Sequence, residues 1–501
     1  MNDTDVAIIG AGFGGVGMAI RLKQEDRDDF VLLERGGDFG GTWRANTYPG
    51  CQCDIPSNLY SFSFAPKSDW TRAYPLQEDI LEYLRDCARR FGIVPHTQLG
   101  CELLDAAWEP RSRRWEIETS TGRLTARVLV SATGMLSEPY LPRIAGLERF
   151  AGTSFHTASW DRDHDLTGRR VAVFGTGATA IQVVPRIRER VERLYVVQRT
   201  PPWVLPHVDR PVPESRQQLY ARAPWLQRGV RAGVWALRES IVLGMAHDAR
   251  MLKGHELAAR AMLRRQVKDP ELRRRLTPTY ALGCKRVLLS SEWYPAIASE
   301  NVELITGGLR EVREHSIVSA DGREHEVDTI ILATGFTPSD PPIAHRLRGL
   351  AGRSLSETWR GSPQAYLGTT VAGFPNLFLF YGPNSNLGHS SIVYMLESQM
   401  EYALGGLRAL RERGADAFDL RPEAQAAYNA EMQARLAGSV WNSGCGSWYL
   451  DRNGRNSIMW PGFTFEFRRR TRRFDSEAYR FTPRLPAALE AEPADAGLVP
   501  A

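Results

Sequence analysis

Two glycine-rich turns in this 501-residue chain carry the residue types that hold the phosphates of a dinucleotide. In "DVAIIGAGFGGVGMAIRL" the apolar run Val6 to Ile9 leads into Gly10, Gly12 and Gly15. The first glycine allows a tight turn, the second lets backbone amides approach a pyrophosphate, and the third lets a helix pack on the strand. That helix aims its positive N-terminal end at the phosphates. A second apolar run, "FVLLE", ends at Glu34, where a carboxylate can accept hydrogen bonds from a ribose. The pattern recurs in "RRVAVFGTGATAIQVVPRI", with Gly175, Gly177 and Ala180 after the run Val171 to Phe174. Here the next apolar run ends in Gln198-Arg199-Thr200. An acid would repel a 2′-phosphate, whereas Arg199 can make charge-assisted bonds to it and Thr200 can donate another. The second turn is therefore read as an NADP site. The first is read as an FAD site, so that one dinucleotide reduces the other.

The elements that must position these residues follow the order strand, turn, helix, strand, twice over. Two short runs, "VLVSATG" (Val128 to Gly134) and "IILATGF" (Ile330 to Phe336), end in Ala-Thr-Gly where the chain would pass between nucleotide units. The fold class is α/β: two Rossmann-like dinucleotide-binding domains, with the NADP domain inserted in the FAD domain. The expected boundaries are 1–145 for the first part of the FAD domain, 146–335 for the NADP domain, and 336–480 for the returning FAD domain. An Ala-, Leu- and Arg-rich stretch at about 211–277 reads as a helical insertion in the NADP domain. Tyr220, Trp225 and Trp235 within it read as core at helical spacing, or else as a substrate entrance. The segment 481–501 reads as a disordered tail.

Hydrophobic residues are 43% and charged residues 24%, the balance of a globular protein with room for two or three domains. The net charge of +5 is slight, and the basic run "FRRRTRRF" reads as solvated surface and not as a nucleic-acid site. The opening residues leave no room for a signal peptide, and no apolar run reaches the length of a membrane span, so stable membrane insertion is not expected. Six scattered cysteines give neither paired metal-ligand spacing nor a disulfide framework. Reduced thiols in a cytoplasmic protein and no metal are the expectation.

Two longer motifs lie around the turns. "FAGTSFHTASWD" places Phe150, Gly152, His156, Trp160 and Asp161 between them, and "GGTWRANTYPGCQCD" runs from Gly40 to Asp54. The first matches F-x-G-x-x-x-H-x-x-x-W-[P/D], and the second matches [A/G]-G-x-W-x-x-x-x-[F/Y]-P-[G/M]-x-x-x-D. On both, and over most of its length, the chain resembles the type I Baeyer–Villiger monooxygenases, class B flavoproteins. The resemblance implies an enzyme that uses FAD, NADPH and O2. It would insert one oxygen atom beside a ketone carbonyl through a flavin peroxide, giving an ester or lactone. It makes the first motif a hinge between domains and places Gly41, Thr42, Trp43 and Asp54 at the flavin. In "YALGCKRVLLS" it assigns the catalytic role to Arg286, with Asp54 as its partner, and gives Lys285 to the NADP phosphate. In "CGSWYLDRNGRNS" it places a control loop that closes over NADP with Trp448. "NLFLFYGPNSNLGHSS" resembles the returning FAD segment near the flavin ring.

Three other readings compete. An N- or S-oxygenating flavin monooxygenase would not need Asp54 and Arg286. A pyridine nucleotide–disulfide reductase would need a redox cysteine pair beside the flavin, and Cys51 and Cys53 are poorly spaced for that. A non-enzymatic nucleotide-binding protein would have no use for the Asp54 and Arg286 constellation. Neither the ketone nor an oligomeric state follows from the sequence.

Overall fold

In the computed structural model, which describes residues 2–484, the opening apolar run becomes the strand Asn2–Ile9. Val6, Ala7 and Ile8 are buried, as a parallel strand covered on both faces requires. This strand pairs in parallel with Phe30–Glu34 and Gly122–Ser131. Thr97–Leu99 and Leu377–Leu379 extend the parallel sheet at its two sides, and an antiparallel ribbon, Leu103–Glu109 with Arg114–Thr119, joins it through Gly122–Ser131. Leu377–Leu379 arrives from far down the chain, so this sheet is completed only after the second has been built. The second sheet has the order Val302–Thr306, Arg193–Gln198, Arg170–Phe174, Thr329–Leu332, Thr153–His156, all parallel.

The two units repeat one local device. Gly10 has φ +100° and Gly175 φ +115°, values open to glycine. A Cβ on Gly10 would lie 2.8 Å from the carbonyl oxygen of Ala132, and one on Gly175 would lie 2.4 Å from that of Ala333. These alanines open the two Ala-Thr-Gly segments, so each segment is the wall against which a turn folds. The Ala132 N–H donates to Ile9 O at 2.8 Å and the Ala333 N–H to Phe174 O at 2.9 Å. Beneath the first turn, a Cβ on Gly15 would fall 1.8 Å from Gly10 O. Ala180 holds the equivalent place beneath the second and is fully buried.

The chain crosses between the units twice, and the crossings are bonded to each other. The Tyr140 N–H donates to Gly335 O at 2.8 Å, the Thr334 hydroxyl donates to Tyr140 O at 2.5 Å, and the Thr337 N–H donates to Glu138 O at 3.3 Å.

Between the strands of the second unit run the helices Glu214–Arg222, Pro224–Val242, Lys253–Gln266 and Pro270–Arg275. The long Pro224–Val242 helix lies against the first unit. Gln227 donates to Asn58 Oδ1 at 3.0 Å, and Arg231 donates to Asn58 O at 2.9 Å.

Four expectations need correction. Tyr220 is buried, but Trp225 is 69% exposed, so the helical aromatics are not one core stripe. The tail does not begin at 481, because Phe481 to Pro483 end the strand Tyr479–Pro483, paired with Ala415–Leu420; residues 485–501 lie outside the described residues. The basic run is not plain surface. It forms much of the helix Thr464–Thr471, with Phe467 buried, Arg468 paired to Glu397 at 3.0 Å and Arg470 to Glu431. Finally, Cys284 and Cys445, 161 residues apart, form a disulfide, while Cys51, Cys53, Cys87 and Cys101 are free and buried. Folding carries the segment that starts at Cys445 back onto the segment before Lys285, a meeting that spacing along the chain does not reveal.

Candidate active site

Both turns open on one cleft of about 1120 Å³. From the first unit it is lined by Gly10, Gly12, Glu34, Gly41, Thr42, Trp43 and Asp54, and from the second by Gly175, Gly177, Arg199 and Thr200. Lys285, Arg286 and Trp448 complete the wall. Gly15 and Ala180 lie beneath the turns and not on the cleft. Phe150, Gly152, His156, Trp160 and Asp161 also stay outside it. They lie in or beside the strand Thr153–His156 at the edge of the second sheet, next to Thr329–Leu332. There Trp160 meets the Phe155 ring edge-on at 5.1 Å, and a Cβ on Gly152 would lie 2.5 Å from Asp328 O. His156 is buried, which lowers its pKa, and its Nδ1 accepts from the Ala158 N–H at 3.0 Å. It supports the turn and faces no substrate space.

Asp54 and Arg286, both in the cleft wall, form an ion pair. Arg286 Nε donates to Asp54 Oδ2 at 2.8 Å, and Nη2 donates to the same oxygen. About a third of each side chain, 31% and 28%, remains open toward the cleft. Burial pushes the Asp54 carboxyl up, but the Arg286 charge and hydrogen bonds win and hold it below the ordinary carboxylate range. The Asp54 charge in turn keeps the guanidinium protonated against burial. Arg238, from the Pro224–Val242 helix, donates to Asp54 O at 3.0 Å and lowers the acid further. Sequence reasoning missed this third member; its signal was a pair of charges, Arg238 and Glu239, inside an apolar helix. Glu239 is buried and accepts from the Thr464 N–H and hydroxyl, both at 2.8 Å.

Another missed residue, Tyr381, lines the cleft. Tyr381 has φ +59°, which aims it from the segment after Leu377–Leu379, and its hydroxyl donates to Asn386 Oδ1 at 2.6 Å. Burial raises its pKa, partly offset by Arg286. Trp43 donates from Nε1 to the Tyr60 hydroxyl at 3.1 Å, which fixes the signature tryptophan. The same signature also bridges the units: the Tyr48 hydroxyl donates to Gln182 Oε1 at 3.0 Å, on the helix Ala180–Ile187 of the second unit.

The donor sets suit the two dinucleotides differently. Glu34 accepts from the Ala11 and Gly36 N–H groups, both at 2.8 Å, so its carboxylate is fixed at the first turn with lone pairs to spare. At the second turn, Arg199 and Lys285 form no ion pair among the described residues. Burial and the Arg199 charge both lower the Lys285 pKa. Two unpaired cations side by side are unfavourable unless an anion joins them. Thr200 is tied in, its carbonyl accepting from the Thr176 hydroxyl at 3.2 Å. Cys51 and Cys53 line the cleft too, but burial pushes Cys51 up to about 12 and Cys53 well above its ordinary value, so neither is a thiolate. Cys284 and Cys445 lie outside the cleft lining, so the disulfide is not placed to exchange electrons there.

This fold and cleft define an oxidoreductase with two dinucleotide-binding units facing one reaction space. The family described as pyridine nucleotide-disulphide oxidoreductase matches residues 7–213. A Baeyer-Villiger monooxygenase of Streptomyces coelicolor is 49% identical over 493 residues, covering 98% of this chain and 95% of that protein. The closed crystal structure of cyclohexanone monooxygenase superimposes with a TM-score of 0.87 at 29% identity, over 97% of this chain and 100% of the other. A crystal structure of the OTEMO complex with FAD and NADP gives 0.86 at 26% identity, over 96% and 99%. The chain belongs to the Baeyer–Villiger monooxygenases.

Proposed function

We propose that the protein uses FAD and NADPH to insert one oxygen atom of O2 beside a ketone carbonyl, giving an ester or lactone. The observation that carries this reading is the Arg286–Asp54 pair in the cleft on which both turns open. FAD would be held at the first turn, by Gly10 and Gly12 at its phosphates and Glu34 at its ribose, with Gly41, Thr42 and Trp43 lining the same cleft. NADPH belongs at the second, its 2′-phosphate between Arg199, Thr200 and Lys285. Residues 146–335 form the NADP domain, set into an FAD domain made of 1–145 and 336–480. The Phe150–Asp161 segment serves as the hinge, and Trp448 closes on NADP. A cytoplasmic location fits a reaction that draws on NADPH.

When bound, the flavin supplies hydride acceptance and oxygen activation. The chain's own residues bind, orient and stabilise. Arg286 presents a fixed positive charge to the carbonyl oxygen as negative charge develops there. Asp54 holds the planar fork in register, and Arg238 anchors Asp54 from behind. Arginine suits the task because it keeps its proton at any working pH.

Arg286→Ala tests the assignment. The variant keeps FAD and is still reduced by NADPH, seen as flavin bleaching on rapid mixing. Ester formation falls by at least about a hundredfold, the scale for losing one oxyanion-stabilising donor, and hydrogen peroxide is released instead. Arg286→Lys rescues little. Near-normal ester yield from the alanine variant would show that Arg286 does not stabilise the developing charge. A wild type that made sulfoxides but no ester across cyclic, linear and aryl ketones would overturn the reaction itself.

A further inference from the structure

The Pro224–Val242 helix has two faces of opposite character. Its inner face is polar and tied down: Gln227 and Arg231 bond the 58–67 segment, Trp235 Nε1 donates to the Thr464 hydroxyl at 3.0 Å, and Arg238 reaches Asp54. Its outer face should then be charged, as solvated helix faces are. It is not. Trp225, Gly229, Ala232, Gly233, Ala236 and Leu237 all project outward, and Arg228 is the sole charged residue among the exposed positions of this helix. Trp225 is 69% and Leu237 72% exposed. A Cβ on Gly229 or Gly233 would meet nothing within 4 Å, so no part of the described chain covers this face. The two large side chains are twelve residues apart, about 18 Å along the helix axis, with small residues between them.

Charge says what covers it. Residues 214–275 hold fourteen Arg and Lys against six Asp and Glu, a net of +8, whereas the whole chain carries only +5. The helical insertion thus holds more than the entire positive excess. Arg222 and Arg228, exposed beside the apolar face, form no ion pair among the described residues; nor do Arg216, Lys253, Arg264 or Arg265. A second copy docking on this face would bring two +8 insertions together. An anionic bilayer matches both features, with Trp225 and Leu237 entering the headgroup boundary and the arginines facing lipid phosphates.

We propose that the outer face of the Pro224–Val242 helix docks the protein peripherally on anionic membrane surfaces. No helix among the described residues is long and apolar enough to cross a membrane, so the contact is a surface one.

Flotation of the purified flavoprotein with vesicles of phosphatidylcholine alone, or mixed with phosphatidylglycerol, tests this. The wild type floats with the mixed vesicles, far less with the neutral ones, and less at high salt. Arg222→Gln and Arg228→Gln each weaken binding about fivefold. The double variant Trp225→Ser/Leu237→Ser loses flotation, yet keeps its FAD content and ketone turnover, since both side chains are outside the cleft. Failure of the wild type to float with the mixed vesicles overturns the proposal, as does flotation undiminished in the double variant. A wild-type dimer in solution that the double variant dissociates also overturns it, by assigning the face to self-association. None of these outcomes bears on the oxygenation reaction, which is scored separately by product.

Discussion

Arg199 and Lys285 hold like charges together at the second turn, and that arrangement has measurable consequences. On the NADPH assignment proposed above, Arg199→Ala removes charge-assisted bonds of about 1.5–3 kcal/mol to the 2′-phosphate. The KM for NADPH therefore rises roughly ten- to a hundredfold while NADH use changes little; equal losses with both coenzymes would make Arg199 structural. The lowered pKa of Lys285 adds a pH signature. A lysine depressed below its ordinary value of about 10.4 loses its proton earlier as pH rises. The KM for NADPH accordingly climbs on the alkaline side before an ordinary lysine would titrate, and Lys285→Met flattens that climb. An unchanged profile in the variant would place the titrating group elsewhere. Asp54 behaves oppositely. Its folded pKa is depressed, so the stability from its pair with Arg286 is present above about 3.9, the unfolded value, and is lost only as pH falls through the lowered one.

Strand–turn–helix units make the two cofactor sites separable. Valine at Gly10 or Gly175 needs a left-handed conformation and drives a Cβ into the carbonyl of Ala132 or Ala333. Gly10→Val is expected to yield colourless protein without FAD. Gly175→Val is expected to stay yellow but resist reduction by NADPH; loss of colour there too would mean that the turns are not independent. These elements were legible in the sequence because the information is local: a run of apolar residues, a glycine, a helix and a terminal residue within about thirty positions. Asp54 and Arg286 are 232 residues apart, and only the match to motifs brought them together. Arg238, Tyr381 and Gln182 stayed hidden for a related reason. Each owes its place to how separate elements pack, and a lone arginine or tyrosine in an apolar stretch has no spacing to give it away.

At the scale of the whole molecule, the Cys284–Cys445 bond ties the segment around Trp448 to the chain just before Lys285 and Arg286. Breaking it with Cys445→Ser is expected to cost about 2–4 kcal/mol of stability, the usual range for a native disulfide. A reductant lowers the unfolding free energy of the wild type by the same amount and leaves the variant unmoved; an equal response in both would show that the bond carries no stability. The paired crossings between the units have a mechanical meaning of their own. A single strap would leave one body free to swivel on the other. Two straps side by side, stitched from Tyr140 to Gly335 and Thr334, act like the spine of a book. Opening and shutting the cleft bends both straps together and can leave the stitches intact. Twisting would shear the straps past each other and break those bonds. Movement of this kind has one soft direction, so the rims that separate on opening meet in the same register on closing. A cleft opened in this way would bring the second turn back to the same place before the first each time it shut.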